Sequence, residues 1–213
     1  MKACIFDLDG VIVDTARYHF LAWKEMAAEL GIELTVEDNE RLKGVGRTES
    51  LEIILGIGGK SLSGKQKEDF LTRKNERFVT YVENMKPDEI YEGSKALFQE
   101  LRGKGIKVAL ASSSKNAMSV LKKLGIVNEF ETIVDGTMIT SSKPDPEIFL
   151  IASSRLAIDP RECIVIEDAQ AGVVAAKRAG MKCVGIGRAV KLKEADMVVD
   201  HINKLSFEIL NSL

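Results

Sequence analysis

The chain has 213 residues, 45% of them hydrophobic and 29% charged, which is typical of a globular protein with one large domain or a domain carrying an insertion. Its 30 basic and 32 acidic residues leave a net charge of −2, which argues against a general nucleic-acid-binding protein. No apolar run approaches the roughly 20 residues of a membrane-spanning helix, and acidic residues follow the N-terminus too soon for a signal peptide. We therefore expect a cytoplasmic protein that binds neither membranes nor nucleic acid.

Five short apolar runs predict buried strands, at residues 3–6, 106–111, 132–134, 163–166 and 183–186. Helical patterns at residues 115–124, 146–156 and 169–179 separate the later strands, and Gly125 suits the C-terminal end of the first of them. This alternation predicts an α/β fold with a Rossmann-like parallel sheet flanked by helices. The three cysteines lie far apart in apolar runs, so we expect buried thiols in a reducing compartment.

A different pattern follows the first strand. Residues 16–30, 36–42, 49–55 and 65–84 have helical patterns with no convincing strand among them. We therefore predict an all-α helical cap domain at residues 16–86, inserted into a catalytic core of residues 1–15 and 87–213. The chain would cross between the two near residues 14–17 and 85–90.

Acidic residues follow two of the predicted strands. Asp7 and Asp9 end the first strand, and Glu167 and Asp168 end the run at residues 163–166. In open α/β sheets, ligands bind beyond the carboxyl ends of the strands, and converging carboxylates favour magnesium. The alternative is a set of surface acids and helix caps, for which Asp168 is the best candidate because it could cap the helix beginning near Ala169.

Two further strand ends supply groups that bind phosphate. Hydroxyl and amide side chains surround a predicted helix N-terminus at residues 112–116, and Lys143 precedes a second helix. A metal, an anion-binding helix start and a lysine around a carboxylate together predict phosphoryl transfer. The carboxylate can be the nucleophile and form an acyl phosphate, once the cations neutralise the repulsion between two anions.

Residues 59–65 have the glycine and lysine spacing of a nucleotide-binding P-loop. Gln66 follows, however, where Ser or Thr would bind magnesium, and no strand precedes the segment. We interpret it as a turn between two helices.

The stretch DLDGVIVDT at residues 7–15, with Ser112, Lys143 and the Glu167–Asp168 pair, resembles the four motifs of the haloacid dehalogenase (HAD) superfamily of phosphotransferases. Within it, the chain resembles the β-phosphoglucomutase family over nearly its whole length. The stretches that carry this likeness are DLDGVIVDTARYHFLAWK, RLKGVGRTESL, TRKNERF, ALASSSKN, SSKPDPEIF and EDAQAG. The family's serine is replaced by Gly46, which we expect to loosen that loop slightly.

The resemblance implies a role for each motif residue of the core. Asp7 would be the nucleophile and a ligand of one Mg²⁺ ion. Asp9 would give its backbone carbonyl to the metal and its side chain to general acid–base catalysis. Asp168 would complete the metal site with Glu167, and Ser112 and Lys143 would hold the transferring phosphoryl group. Thr15 and His19 join the catalytic set at the hinge, with His19 orienting Asp9.

The remaining residues would bind the sugar phosphate. Arg47 and Lys115 are candidates to grip a second, non-reacting phosphate from opposite sides of the cleft, and Arg47 suits bidentate recognition. The resemblance adds Ser113, Ser114 and Asn116 on the core side. On the cap side it adds His19, Trp23, Lys43, Gly44, Val45, Ser50 and Lys74. By pattern alone, Trp23 could be core, His19 could face solvent, and Lys74 is an exposed helix charge.

The implied function is that of a β-phosphoglucomutase, which interconverts β-glucose 1-phosphate and glucose 6-phosphate through an aspartyl phosphate. β-Glucose 1,6-bisphosphate would be both intermediate and activator, and the enzyme would be a monomer. One alternative is a sugar-phosphate phosphatase of the same superfamily, and another is a non-catalytic phosphosugar-binding protein.

Overall fold

The computed structural model describes residues 1–213, and its centre is a parallel sheet of six strands. The strands are β1 (Ala3–Phe6), β2 (Lys107–Ala111), β3 (Thr132–Val134), β4 (Cys163–Glu167), β5 (Lys182–Ile186) and β6 (Met197–Val199), in the spatial order β3-β2-β1-β4-β5-β6. β1 therefore lies between β2 and β4, with Phe6 in register with Leu110 and Ile166. This register brings the carboxyl ends of three strands together at one edge. The predicted Rossmann-like sheet is confirmed.

Helices cover both faces of the sheet. They are α5 (Ser94–Gly103), α6 (Ala117–Leu124), α7 (Glu147–Leu156), α8 (Gln170–Arg178) and the short α9 (Phe207–Asn211). Side chains of β1 alternate between two hydrophobic clusters: Cys4 and Phe6 pack in one of 29 buried residues, and Ala3 and Ile5 in one of 18. Strand β6 and helices α5 and α9 are additions to the predicted elements.

Four helices lie between β1 and α5, with no strand among them: α1 (Ala16–Glu29), α2 (Val36–Asn39), α3 (Arg47–Ile57) and α4 (Gly64–Glu83). They form the predicted helical cap region, in which α1, α3 and α4 contribute to a third cluster of ten buried residues and α2 contributes none. The two connections run side by side, since Tyr91 N–H donates to Ile12 O at 2.8 Å. The division at residues 16 and 86 stays a prediction, and all four helices fall inside the predicted cap range.

Several smaller predictions can be compared with the structure. The P-loop-like segment is a turn between α3 and α4, where Ser63 and Gln66 form a capping box. Gly125 ends α6 with a φ of 70°, and Cys4, Cys163 and Cys183 are free, buried thiols. No helix is both long and apolar enough to cross a membrane.

Candidate active site

A buried lysine lies between two carboxylates at the shared edge of β1, β2 and β4. Lys143 Nζ donates to Asp7 Oδ1 and Glu167 Oε1, both at 2.6 Å, and to the carbonyl of Ala111 at 3.2 Å. Burial disfavours the ammonium, but Asp7 and Glu167 outweigh it and raise the pKa of Lys143 above its ordinary value. The lysine is therefore a permanent cation with all three N–H groups directed at protein acceptors.

The lysine does not neutralise the whole acidic group. Carboxylate oxygens of Asp7, Glu167 and Asp168 lie within 4.8 Å of one another. Burial raises the pKa of Asp7 well above its ordinary value, with Lys143 opposing and Glu167 adding to the shift. Burial, followed by the charge of Glu167, raises the pKa of Asp168 to about 7. Excess negative charge on hard oxygen donors fits a divalent cation such as magnesium.

Two glycines make room for these carboxylates. A Cβ atom at Gly172, in the first turns of α8, would overlap the carboxylate of Glu167, and one at Gly10 would overlap that of Asp168. Gly10 also has a φ of +82°, which favours glycine. The glycines of the DLDG and EDAQAG motifs are thus required by the acidic group itself.

Asp168 does not cap α8, so that alternative is wrong. The helix has no side-chain cap, and the N–H of Ala169 donates to Glu167 Oε2 at 2.9 Å instead. Asp168 is approached by Lys43 of the cap at 3.5 Å. Its oxygens therefore remain the least engaged of the three carboxylates.

Asp9 stands apart from the three-carboxylate group. The hydroxyl of Thr15, which is fully buried at the start of α1, donates to Asp9 Oδ1 rather than capping the helix. Burial raises the pKa of Asp9 to about 6, with the charges of Lys143 and Lys74 opposing the rise. A carboxyl group with a pKa near neutrality can both donate and accept a proton. No hydrogen bond joins His19 to Asp9, and it is Thr15 that holds this carboxylate.

The loop after β2 forms the core wall of the cleft. The side chain of buried Ser112 accepts from the N–H of Ser114 at 3.2 Å, and Ser113 Oγ donates to the carbonyl of Gly44 in the cap at 3.0 Å. Ser113, Ser114 and Lys115 line the cleft together with Asp7, Asp9 and Asp168. The predicted phosphate-binding loop therefore faces the carboxylates and touches the cap.

Every predicted cap residue lines this cleft: His19, Trp23, Lys43, Gly44, Val45, Arg47, Ser50 and Lys74. Thr15, Ser112, Lys143 and Glu167 lie in the layer behind it and are fully or almost fully buried. Asn39 and Leu42 also line the cleft but were not predicted, because the short helix α2 carries no motif that marks its neighbours as ligands.

Lys74 departs most from its sequence pattern. It is only 1% exposed, so the expectation of an exposed helix charge is wrong. Its Nζ lies 2.7 Å from His19 Nδ1 and 4.8 Å from the centroid of Trp23. Burial, followed by the nearby charge of Arg47, lowers the pKa of Lys74 to about 7. His19 stacks on Phe78, and burial lowers its pKa well below the ordinary value, so it is a neutral partner for the lysine.

Trp23 is both core and cleft wall. It is 3% exposed and belongs to the hydrophobic cluster of the cap, yet its ring also lines the cleft beside Lys74. The two interpretations of this residue are therefore compatible.

The comparisons with known proteins agree with this arrangement. A model of haloacid dehalogenase-like hydrolases matches residues 1–180. The chain belongs to the haloacid dehalogenase-like hydrolase family. Within that family it is 45% identical over 213 residues to the β-phosphoglucomutase of Bacillus subtilis (strain 168), covering 99% of this chain and 94% of that protein.

Two further proteins are similar to this chain, one in its solved structure and one in its sequence. The crystal structure of β-phosphoglucomutase from Clostridium difficile superposes with a TM-score of 0.96 at 42% identity, covering 100% of this chain and 96% of that one. A phosphorylated carbohydrates phosphatase from Thermotoga maritima is 34% identical over 85% of this chain and 83% of that protein. Enzymes with both mutase and phosphatase names thus share this HAD fold.

Proposed function

We propose that the protein is a β-phosphoglucomutase that interconverts β-glucose 1-phosphate and glucose 6-phosphate. The observation that carries this proposal is the 45% identity with the Bacillus subtilis enzyme, in an alignment that spans both cap and core. A phosphatase and a mutase can share the core, so the cap must determine whether water or a sugar hydroxyl accepts the phosphoryl group. The higher identity over more of the chain to the mutase than to the phosphatase, 45% against 34%, therefore favours the mutase.

We assign the chemistry to the two aspartates of the first strand end. A carboxylate oxygen of Asp7 attacks the phosphorus of β-glucose 1,6-bisphosphate and forms an aspartyl phosphate, while the bond to the sugar oxygen breaks. Asp9 protonates the departing sugar oxygen. When the phosphate on C1 is the one transferred, glucose 6-phosphate leaves. In the second half, β-glucose 1-phosphate binds and Asp9 takes the proton from its 6-hydroxyl, whose oxygen attacks the aspartyl phosphate, regenerating the bisphosphate and free Asp7. The raised pKa of Asp9, about 6, supports this double role.

Cations around Asp7 would make the attack of one anion on another possible. Lys143 lies 2.6 Å from Asp7 Oδ1 and compensates part of the charge. Asp7, the backbone carbonyl of Asp9 and Asp168, with Glu167 beside them, would hold one magnesium ion, which supplies further positive charge when bound. Ser112 and Lys143 would contact the transferring phosphoryl group.

The cap would bind the rest of the substrate and exclude water. Lys43 and Gly44 of the cap contact Asp168 and Ser113 of the core, and a cap held against the core in this way would hinder hydrolysis of the aspartyl phosphate. Arg47, Ser114, Lys115 and Asn116 would hold the distal phosphate. His19, Trp23, Val45, Ser50 and Lys74 would line the sugar pocket. Both halves of the cleft come from one chain, so we propose a monomer, acting in the cytoplasm.

A coupled assay tests the proposal. The protein is incubated with β-glucose 1-phosphate, magnesium and a trace of β-glucose 1,6-bisphosphate, and glucose 6-phosphate and free phosphate are measured together. We expect glucose 6-phosphate to dominate, the bisphosphate to remove any lag, and chelation of magnesium to abolish turnover. The α-anomer serves as the control substrate. Rapid release of free phosphate without glucose 6-phosphate would identify a phosphatase instead, and tight binding without turnover a phosphosugar-binding protein.

A further inference from the structure

One amide oxygen joins helix α3, helix α4 and the residue that precedes helix α6. Asn75 Oδ1 accepts hydrogen bonds from Arg47 Nη2 and from Asn116 Nδ2, both at 2.7 Å. Arg47 opens α3 and Asn75 lies within α4, so both belong to the cap, whereas Asn116 directly precedes α6 of the core. Asn75 is therefore one of the points at which the cap meets the core, and it contacts two of the candidate phosphate-binding donors.

The chemistry of the three side chains fixes their orientations. A guanidinium has only donors, so Asn75 must present its oxygen to Arg47. Because the same oxygen also faces Asn116, Asn116 must present its amino group. Each partner then uses one N–H on Asn75 and keeps the others for a ligand. The orientation of Asn116 is thus set by Arg47 through Asn75.

The charges of Arg47 and Lys74 explain why an uncharged side chain suits position 75. Burial lowers the pKa of Arg47, and no carboxylate forms an ion pair with it. The pKa of neighbouring Lys74 is lowered as well, partly by Arg47. Arg47 thus lacks a counter-charge, and so does Lys74 in its protonated form, which favours an anionic ligand. An amide oxygen orients the guanidinium without neutralising it, whereas a carboxylate would compete with the ligand.

We propose that Asn75 is a positioning residue that holds Arg47 of the cap and Asn116 of the core together, so that both reach the same non-reacting phosphate. This inference rests on the proposed function, because it takes the distal phosphate of a sugar bisphosphate as the ligand. Asn75 touches the phosphate's donors and not the reacting atoms. Its loss should therefore weaken binding of ligands with a second phosphate and spare the chemistry at Asp7.

The first test measures binding without reaction. In an Asp7→Asn background, the Kd of β-glucose 1,6-bisphosphate is determined by calorimetry for the parent, Asn75→Ala and Asn75→Asp. We expect both variants to raise the Kd about tenfold or more. Asn75→Ala no longer orients Arg47 and Asn116, and the carboxylate introduced by Asn75→Asp competes with the ligand's phosphate for Arg47. Asn211→Asp, the same charge change at an exposed C-terminal position, should leave the Kd unchanged. An unchanged Kd in both Asn75 variants would overturn the proposal, whatever the mutase assay shows.

The second test separates positioning from general damage. With Asp7 intact, aspartyl phosphate formation is followed with acetyl phosphate, which has no distal phosphate, and with the bisphosphate. Asn75→Ala should slow only the reaction with the bisphosphate, leaving acetyl phosphate within about twofold. Equal slowing with both donors would indicate a damaged core and contradict the inference. If Asn75→Ala slows only the reaction with the bisphosphate but the parent protein has no mutase activity, the proposed function fails and the inference about Asn75 stands.

A double-mutant cycle then tests whether Asn75 acts through its partner. If the two amides work as one unit, the rise in Kd from Asn75→Ala should be much smaller in an Asn116→Ala background than in the parent. Independent effects, in which the two fold-changes multiply, would show that Asn75 does not position Asn116 and would overturn the shared-acceptor role.

Discussion

The two halves of the cleft each contain a buried lysine, and the two lysines are in opposite electrostatic situations. Lys143 of the core and Lys74 of the cap are both 1% exposed. Lys143 has two carboxylates at 2.6 Å, and its pKa is raised, whereas Lys74 has a neutral histidine at 2.7 Å, and its pKa is lowered to about 7. The core lysine thus has its own counter-charges, whereas Lys74 of the cap has none. We infer that the core is built for chemistry and the cap for an anionic ligand.

The largest expected effect comes from changing Asp7, the proposed nucleophile of the core. Asp7→Asn keeps the size of the side chain but leaves no carboxylate to attack phosphorus, so we expect aspartyl phosphate formation and turnover to be abolished. The measurement is incorporation of labelled phosphate from acetyl phosphate. Asp135→Asn, another buried aspartate after a strand of the sheet but outside the cleft, is the control. A normal aspartyl phosphate in Asp7→Asn would place the nucleophile elsewhere.

A smaller loss is expected from Asp9→Asn. The amide cannot exchange the proton of the sugar hydroxyl, so kcat should fall about 10²-fold or more. The side chain lies outside the three-carboxylate group, so magnesium affinity should be largely kept. Turnover and magnesium titration on the same preparation check both points. If metal affinity alone were lost, the assignment of the proton transfer to Asp9 would be wrong.

The cap lysine should affect binding and stability rather than chemistry. Between pH 7 and 10.5 the unfolded chain holds a proton on Lys74 that the folded protein has largely lost, so the free energy of unfolding gains a contribution that rises with pH. Below about pH 7 the folded protein must accommodate a buried ammonium. Lys74→Met removes this penalty.

We therefore expect Lys74→Met to raise Tm by about 3 °C or more at pH 6, a difference that shrinks as the pH approaches 10. The same variant should raise KM for sugar phosphates about tenfold and change kcat less, because a bound phosphate favours the protonated form of Lys74 and methionine cannot provide that attraction. Lys65→Met, at an exposed position of the same helix, should change neither. A fall in Tm at pH 6 would contradict the low pKa of Lys74 and the contrast with Lys143.

The contrast between the lysines also explains how much the sequence predicts. The core site follows from strand ends: once β1, β2 and β4 are parallel neighbours, residues directly after them must meet at one edge. The burial of Lys74, by contrast, can be predicted only from the face of helix α4 on which the residue lies. It lies on a stripe with Phe70, Phe78 and Val82 at intervals of four residues, which indicates burial, but a lysine in such a stripe normally predicts an exposed charge.

Other differences have simpler physical causes. Strand β6 has three half-buried residues at the edge of the sheet, too few for a periodic signal. Helix α5 has Leu97, Phe98 and Leu101 at helical spacing and could have been predicted from them. The link from Asn75 to Asn116 joins residues 41 positions apart across two elements, and no local pattern specifies such a contact.

The smallest effect is expected at Gly46, where the family's serine is absent. Its φ of −71° is open to any residue, and a Cβ atom there would meet only the ends of the Ser142 and Glu49 side chains, which can move. Serine would occupy the N-cap of α3 and form a capping box with Glu49, worth a few tenths of a kcal/mol over glycine. We expect Gly46→Ser to raise Tm by about 1 °C and to change KM less than about threefold. Gly56→Ala, in the same helix with no atom near its Cβ, is the control for helix propensity alone. A tenfold loss of turnover in Gly46→Ser but not in Gly56→Ala would contradict this expectation. It would show that the close approach of Gly46 to Ser142 is required, as the close approaches of Gly10 and Gly172 to the core carboxylates are.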